Sequence, residues 1–264
     1  MNLGKEQEPI RIDFAEKPIE KEYVICYLDV LGTKQIINSK KAEEFFDMIY
    51  EAYSFAIEME SKLHIFGNLV FKVFSDNILI AHELDDDGDW YAAYDSVVKF
   101  LKHFLLRFLY QGVLFRGGIT IGMLAINDVM VWGSGLVDVV NLEEKVAIYP
   151  RIVISNELAE LMNSSQIDNR KSFDEVFSCL KNNDGSLFID YINYDEMPTA
   201  EQSLRFSHEI MYEKKLTETN QAVLQKIRWH LNYLEKARDI FNEYYGDFDR
   251  LEWEDNAKNE IQWS

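Results

Sequence analysis

Hydrophobic positions along the chain fall into runs of two periods. Residues 23–28 (YVICYL) are an unbroken apolar run ending in Asp29. That is the pattern of a strand buried on both faces, with a polar residue at its C-terminal end. Over 42–62, Phe45, Phe46, Ile49, Ala52, Tyr53 and Ala56 recur at helical spacing. Two strand patterns, 69–74 and 78–81, flank Ser75-Asp76-Asn77, which reads as a tight hairpin turn. A stronger amphipathic helix runs from Trp90 to Phe108 through Tyr94, Val97, Val98, Leu101, Phe104 and Leu105. Strands are predicted near 114–121, 124–126, 129–132 and 152–154, with helices over 135–148 and 156–162. Residues 163–186 are polar and read as loop-rich, and 187–190 as one more strand. From about Glu201 the pattern is helical. Leu224, Ile227, Leu231, Leu234 and Phe241 follow an a/d register that Arg238 interrupts, so this face packs on its parent domain or pairs with a second copy.

The order β-α-β-β-α-β with added strands predicts an α+β, ferredoxin-like sandwich. The expected organisation is a flexible polar arm over 1–21, one domain over 22–200 and a helical extension over 201–264.

Composition narrows the function. In 264 residues, 47% are hydrophobic, enough for a sizeable core, and 46 acidic residues against 27 basic give a formal charge of −19. Such a field repels nucleic-acid backbone and anionic membrane, so neither is an expected partner. A small anionic substrate then needs a metal or a local basic cluster. Cys26 and Cys179 are the only cysteines, with no spacing for a zinc site or a disulfide framework. No apolar run approaches the ~20 residues that span a bilayer, and a cytoplasmic location is expected.

Asp29 and Asp76 carry the candidate chemistry. In a ferredoxin-like sheet the first strand and the hairpin lie side by side, so the two carboxylates share one cleft at the strand ends. Two hard divalent cations there lower the pKa of an attacking hydroxyl and neutralise a triphosphate. Gly32 and Thr33 lead towards a helix whose first N–H groups suit phosphate oxygens. Each aspartate alone also fits a turn or loop cap. Arg116 and Arg151 fit either triphosphate contacts or ordinary ion pairs. Lys72 fits a ligand for base or phosphate, or an outward polar residue on a half-buried strand. The five histidines show no ligand spacing, and no GxSxG elbow, Walker loop or HExxH motif occurs.

Four blocks carry a family resemblance. YLDVLGTK (27–34) resembles the first metal motif of class III adenylate and guanylate cyclases, and KVFSDNILIA (72–81) their second. FRGGITIG (115–122) resembles their Arg-x-Gly-Ile strand, and VWGSGLVDVVNLE (131–143) the segment carrying their transition-state residues. The resemblance implies that Asp29 and Asp76, helped by the Val30 carbonyl, bind two Mn²⁺ or Mg²⁺ ions. It also implies a homodimer with active sites at the interface. Departures are specific: Val137 and Asn141 stand where the family has its transition-state Asn and Arg. Met130 stands at the base-selecting Asp, and Ser75 replaces a Gly. The opening, the FRGGI strand and LVDVVNLEEKVAIYPRIVIS (136–155) are closer to the bacterial pyrimidine cyclases of Pycsar anti-phage systems. That resemblance implies UTP, or else CTP, as substrate, and cyclic UMP or cyclic CMP as a signal to a separate effector. The competing expectation is a catalytically inactive, nucleotide-binding regulator with a cyclase fold.

Overall fold

The computed structural model describes residues 17–33, 42–61, 69–165, 172–192, 194 and 199–245. Residues 1–16 of the expected arm, 34–41 before the helix predicted over 42–62, and 166–171 of the polar insert fall outside them, and the last two residues of the expected arm open β1. β1 (Glu20–Val30) carries the apolar run, and α1 (Ala42–Ser61) and α2 (Trp90–Leu109) are the two amphipathic helices. Between them lie β2 (Leu69–Phe74) and β3 (Asn77–Glu83). β4 (Phe115–Ile126) and β5 (Val131–Trp132) form a hairpin, and α3 (Ser134–Lys145), β6 (Ile152–Ile154) and α4 (Asn156–Ser164) follow. α5 (Phe173–Phe177), β7 (Cys179–Lys181), β8 (Leu187–Ile189), α6 (Thr199–Thr217) and α7 (Gln221–Tyr245) complete the described elements.

One sheet runs β2-β3-β1-β4-β6-β8-β7, with β5 paired to β4. β1 lies antiparallel to both β3 and β4, so β4-β1-β3-β2 is the ferredoxin-like order expected of an α+β sandwich. β6 joins parallel to β4, and β8 and β7 extend the sheet beyond it.

Alternation along β1 assigns its two faces. Val24, Cys26, Leu28 and Val30 enter the main core with α1 and α2, whose rings Phe45, Phe100, Phe104 and Phe108 are buried there. Tyr23, Ile25 and Tyr27 face the other way, into a smaller cluster with Leu79, Leu124 and Val139 under α3. α6 and α7 share the main core through Leu204, Tyr233, Leu234, Ala237 and Phe241. The a/d face of α7 is therefore spent on the parent domain.

Two sequence expectations change. The strands expected at 114–121 and 124–126 are one twelve-residue strand, β4. Gly122 is not a break but a contact point: a Cβ there would stand 2.9 Å from the Gly135 Cα, so its bareness lets α3 close on the sheet. Gly118 does the same two turns further along α3, where a Cβ would meet the Leu142 side chain at 2.9 Å. The polar stretch before residue 187 is not only loop. It holds α5, opened by a capping box between Ser172 and Glu175, and the edge strand β7.

Candidate functional site

Asp29 is the penultimate residue of β1. Its cross-strand partners are Asn77 on β3 and Arg116 on β4, and cross-strand partners share a face. Asp29 therefore lies on the α3 side, with Tyr27 and its neighbours Leu79 and Lys72 two residues away along the ladders. Asp76 sits in the β2–β3 turn. Ser75 takes a left-handed φ of 62° there, a conformation that glycine adopts without penalty. The Val30 N–H donates to the Asp76 carbonyl at 3.1 Å, and the Leu31 N–H donates to the Leu114 carbonyl at 2.8 Å. These bonds tie the β1 end to the hairpin turn on one side and to the start of β4 on the other. The two aspartates thus emerge from adjoining backbone.

Arg116 holds the centre. Its Nε donates to Asp29 Oδ2 at 2.8 Å and lies 2.7 Å from Glu143 Oε1 on α3. Glu143 is only 3% exposed, and Oε1 receives no well-directed hydrogen bond. Burial raises the Glu143 carboxyl above the usual carboxylate range; Arg116 opposes this, and Asp29 and Glu144 reinforce it. The half-buried Tyr27 hydroxyl is raised first by burial and then by Glu143, Asp29, Asp76 and Glu144. The acids therefore converge on one region.

The other expected site residues divide. Gly32 turns the chain at φ 86°, and buried Thr33 donates its Oγ1 to the Val30 carbonyl at 2.6 Å. That carbonyl keeps a second lone pair. Lys72 is half-buried on β2, on the same face as Asp29. Arg151 is placed differently. It is 2% exposed, and its guanidinium donates to Ser186 Oγ (3.0 Å), Asp184 Oδ2 (3.0 Å) and the Val146 carbonyl (3.2 Å). It braces β6 to the β7–β8 turn, whereas Arg116 reaches Asp29. On α3, Asn141 donates to the Val137 carbonyl and accepts from Lys145. Val137 is 59% exposed. Met130, in the β4–β5 turn, is also exposed.

Two members of the cluster had no assigned role in the sequence reading. Glu143 was visible inside NLE (141–143), but only the docking of α3 shows that it meets Arg116. Lys226, on α7, is coupled to Arg116, Asp29 and Glu143 and had no local signal at all.

The donor set is hard: two carboxylates on adjoining backbone and a backbone carbonyl. This suits Mg²⁺ or Mn²⁺, which take few protein ligands and complete their shell with substrate and water. Among the described residues, no group of three or more His, Cys, Asp or Glu is arranged to hold a metal ion. No helix among them is long and apolar enough to cross a membrane, and both cysteines are free and buried.

No family model matches the sequence, and no curated protein matches it. Solved structures are similar at low identity. One is the adenylyl cyclase CyaB from P. aeruginosa, with 18% identity, TM-score 0.42, and coverage of 59% of this chain and 91% of that one. Another is an adenylate/guanylate cyclase/hydrolase from Silicibacter pomeroyi (14%, TM-score 0.40, 64% and 95%). A third is the catalytic core of a rhodopsin-guanylyl cyclase with converted specificity, in complex with ATPαS (12%, TM-score 0.42, 65% and 97%). Identities this low say nothing of substrate, and the site is read from its own residues.

Proposed function

We propose that the protein is a nucleotidyl cyclase acting on a pyrimidine nucleoside triphosphate, UTP ahead of CTP. One observation carries this reading. Asp29 and Asp76 stand on adjoining backbone, joined by the Val30-to-Asp76 hydrogen bond, on a sheet of ferredoxin-like order, within the motifs that resemble the two metal motifs of class III cyclases.

The reaction is in-line displacement. The ribose 3′-oxygen forms a bond to the α-phosphorus, the bond from that phosphorus to the bridging oxygen breaks, and pyrophosphate leaves with the electron pair. The 3′ proton passes to solvent. When bound, two divalent ions lower the pKa of the 3′-hydroxyl and screen the phosphate charge. Asp29, Asp76 and the second lone pair of the Val30 carbonyl hold them. Arg116 is set by Asp29 and Glu143 at the edge of the same cleft and offers its remaining guanidinium donors to phosphate oxygens. Gly32 and Thr33 shape the turn that faces the triphosphate. Lys72, on the same face, is assigned to the base.

The site is completed by a second copy. Val137 on α3 and Met130 in the β4–β5 turn are exposed on or near the Asp29 side, and Met123 and Trp132, the latter 75% exposed, stand on the other face of the hairpin. Such a surface suits a symmetric interface. The motif resemblance further supports a cytoplasmic enzyme of phage defence whose cyclic UMP or cyclic CMP activates a separate effector.

A second reading has its own observation. Asp29 is already engaged by Arg116, and Asn141 is satisfied within its helix, which suits a nucleotide-binding regulator without turnover. The test is incubation with ATP, GTP, CTP and UTP separately, with Mn²⁺, and mass spectrometry of the products. A cyclic pyrimidine nucleotide that is absent with Asp76→Ala is the expected result. Metal-dependent binding without any cyclic product selects the regulator, and a cyclic purine product removes the pyrimidine assignment.

A further inference from the structure

Helix α7 reaches the site from the far end of the chain. Its Trp229 lies flat on Tyr149, with 6.1 Å between ring centres and 9° between planes, and meets Phe188 edge-on at 5.5 Å. Tyr149 belongs to the segment that enters β6 through Arg151. The Arg151 carbonyl accepts the Gly117 N–H at 2.9 Å, one residue beyond Arg116. The aromatic contact therefore ties α7 at Trp229 to the segment that pairs with β4 one residue beyond Arg116. Leu224 and Ile227 are buried on either side of Lys226, which fixes the helix rotation. Lys226, one turn before Trp229, is half-buried and coupled to Arg116, Asp29 and Glu143. Burial and Arg116 lower its proton affinity, while Asp29 and Glu143 raise it.

The charge balance explains what such a lysine does. Asp29, Asp76 and Glu143 converge on the cleft, and Arg116 is shared between two of them. A triphosphate adds several more negative charges. On α3 the position of the family's transition-state arginine is Asn141, a neutral amide occupied by its own helix. Arg116 and Lys226 are the two cations that act on Glu143. A half-buried ammonium on a four-carbon stem acts as a mobile point charge for phosphate.

We propose that Lys226 binds the outer phosphates of the triphosphate within the same chain and takes up the charge of the departing pyrophosphate. This rests on the nucleotidyl cyclase reading. It makes the C-terminal helix a working part of the site rather than an appendage.

Equilibrium binding in the presence of Mn²⁺ tests it, using 3′-deoxy-UTP and 3′-deoxy-CTP, which lack the attacking hydroxyl, with inorganic pyrophosphate and the 5′-monophosphates UMP and CMP as further probes. Wild-type protein is compared with Lys226→Met, which keeps the aliphatic stem, Lys226→Gln and Lys226→Arg. The neutral variants are expected to bind the triphosphate analogue and pyrophosphate about tenfold or more weakly. Monophosphate binding is expected to hold, and Lys226→Arg to recover most of the loss. Neutral variants with wild-type affinity for the triphosphate overturn the proposal. Equal weakening for triphosphate and monophosphate, or loss of the fold in both neutral variants, makes Lys226 structural and overturns it too. Wild-type protein that binds the analogue but yields no cyclic product from any triphosphate ends the cyclase reading while leaving Lys226 to be judged by these affinities. Wild-type protein that binds no triphosphate ends both.

Discussion

On β1, Val24, Cys26, Leu28 and Val30 meet α1 and α2, and the residues between them, Tyr23, Ile25, Tyr27 and Asp29, meet α3. The first set lies in a core dense with phenylalanine and closed by four further helices. The second set has a few apolar neighbours, then Arg116, Glu143 and the two aspartates, then exposed Val137 on α3. A strand of period two thus carries the main core on one side and the proposed site on the other. The faces can be separated experimentally, because a change on one should move melting and a change on the other should move turnover.

The largest expected effect is on the open face. Asp29→Asn keeps the shape and a hydrogen-bond acceptor for Arg116 but removes a metal-binding charge. Product formation should fall by at least about a hundredfold, with the melting temperature nearly unchanged. Phe104→Ala is the closed-face counterpart. Phe104 is fully buried against Phe71, Phe100, Phe108 and Phe115. Its truncation should cost about 3–5 kcal/mol in denaturant unfolding, while turnover per folded molecule stays at the wild-type level. If Asp29→Asn melts like Phe104→Ala, or Phe104→Ala loses turnover at full occupancy of the folded state, the division between faces fails.

A smaller effect tests how the open face is finished. Val137→Asp places a charge on the exposed apolar surface of α3 without touching the core. Sedimentation should show a shift towards monomer, and specific activity should become strongly dependent on protein concentration, with stability altered by less than about 0.5 kcal/mol per folded chain. A variant that sediments and turns over like wild type removes the second copy from the site.

The closed face was the more legible in sequence, for a physical reason. Core elements declare themselves by period, and β1, α1, α2, β2 and β3 stand within a few residues of where periodicity puts them. β4 was read as two strands, 114–121 and 124–126, and no local pattern shows that Gly122 is bare because Gly135 approaches it. α5 and β7 are too short to show a period and rely on a capping box and an edge pairing. The paired aspartates were legible because motif and topology agreed. Arg116 and Arg151 were not told apart, although the antiparallel register of β1 and β4 places Arg116 opposite Asp29. Glu143 and Lys226 depend on helix docking across long sequence separations, which no local pattern encodes.

The smallest effect is a pH dependence that belongs to the closed side alone. His230 on α7 is fully buried, 3.2 Å from the Tyr191 hydroxyl and 3.3 Å from Ser207 Oγ. Burial pushes its pKa down to about 3, and Lys214 adds to the fall. In the unfolded chain it titrates near the ordinary histidine value of about 6.5. Between those values the unfolded state binds more protons than the folded one, so stability contributed by neutral His230 is complete above about pH 6.5 and drains away as pH falls towards about 3. The slope is at most about 1.4 kcal/mol per pH unit. Nearby Asp190, also buried and raised, acts in the opposite sense, so the comparison must be between wild type and His230→Gln, which share Asp190. The stability of wild type relative to His230→Gln should fall steadily from pH 7 to pH 4 in urea unfolding. Over the upper part of that range, turnover per folded molecule should follow the same profile in both proteins, since burial and Lys214, not Asp29 or Asp76, act on His230. A difference that stays flat with pH would mean that His230 is charged when folded, and the closed face would then hold an ion that its apolar lining gives no means to stabilise.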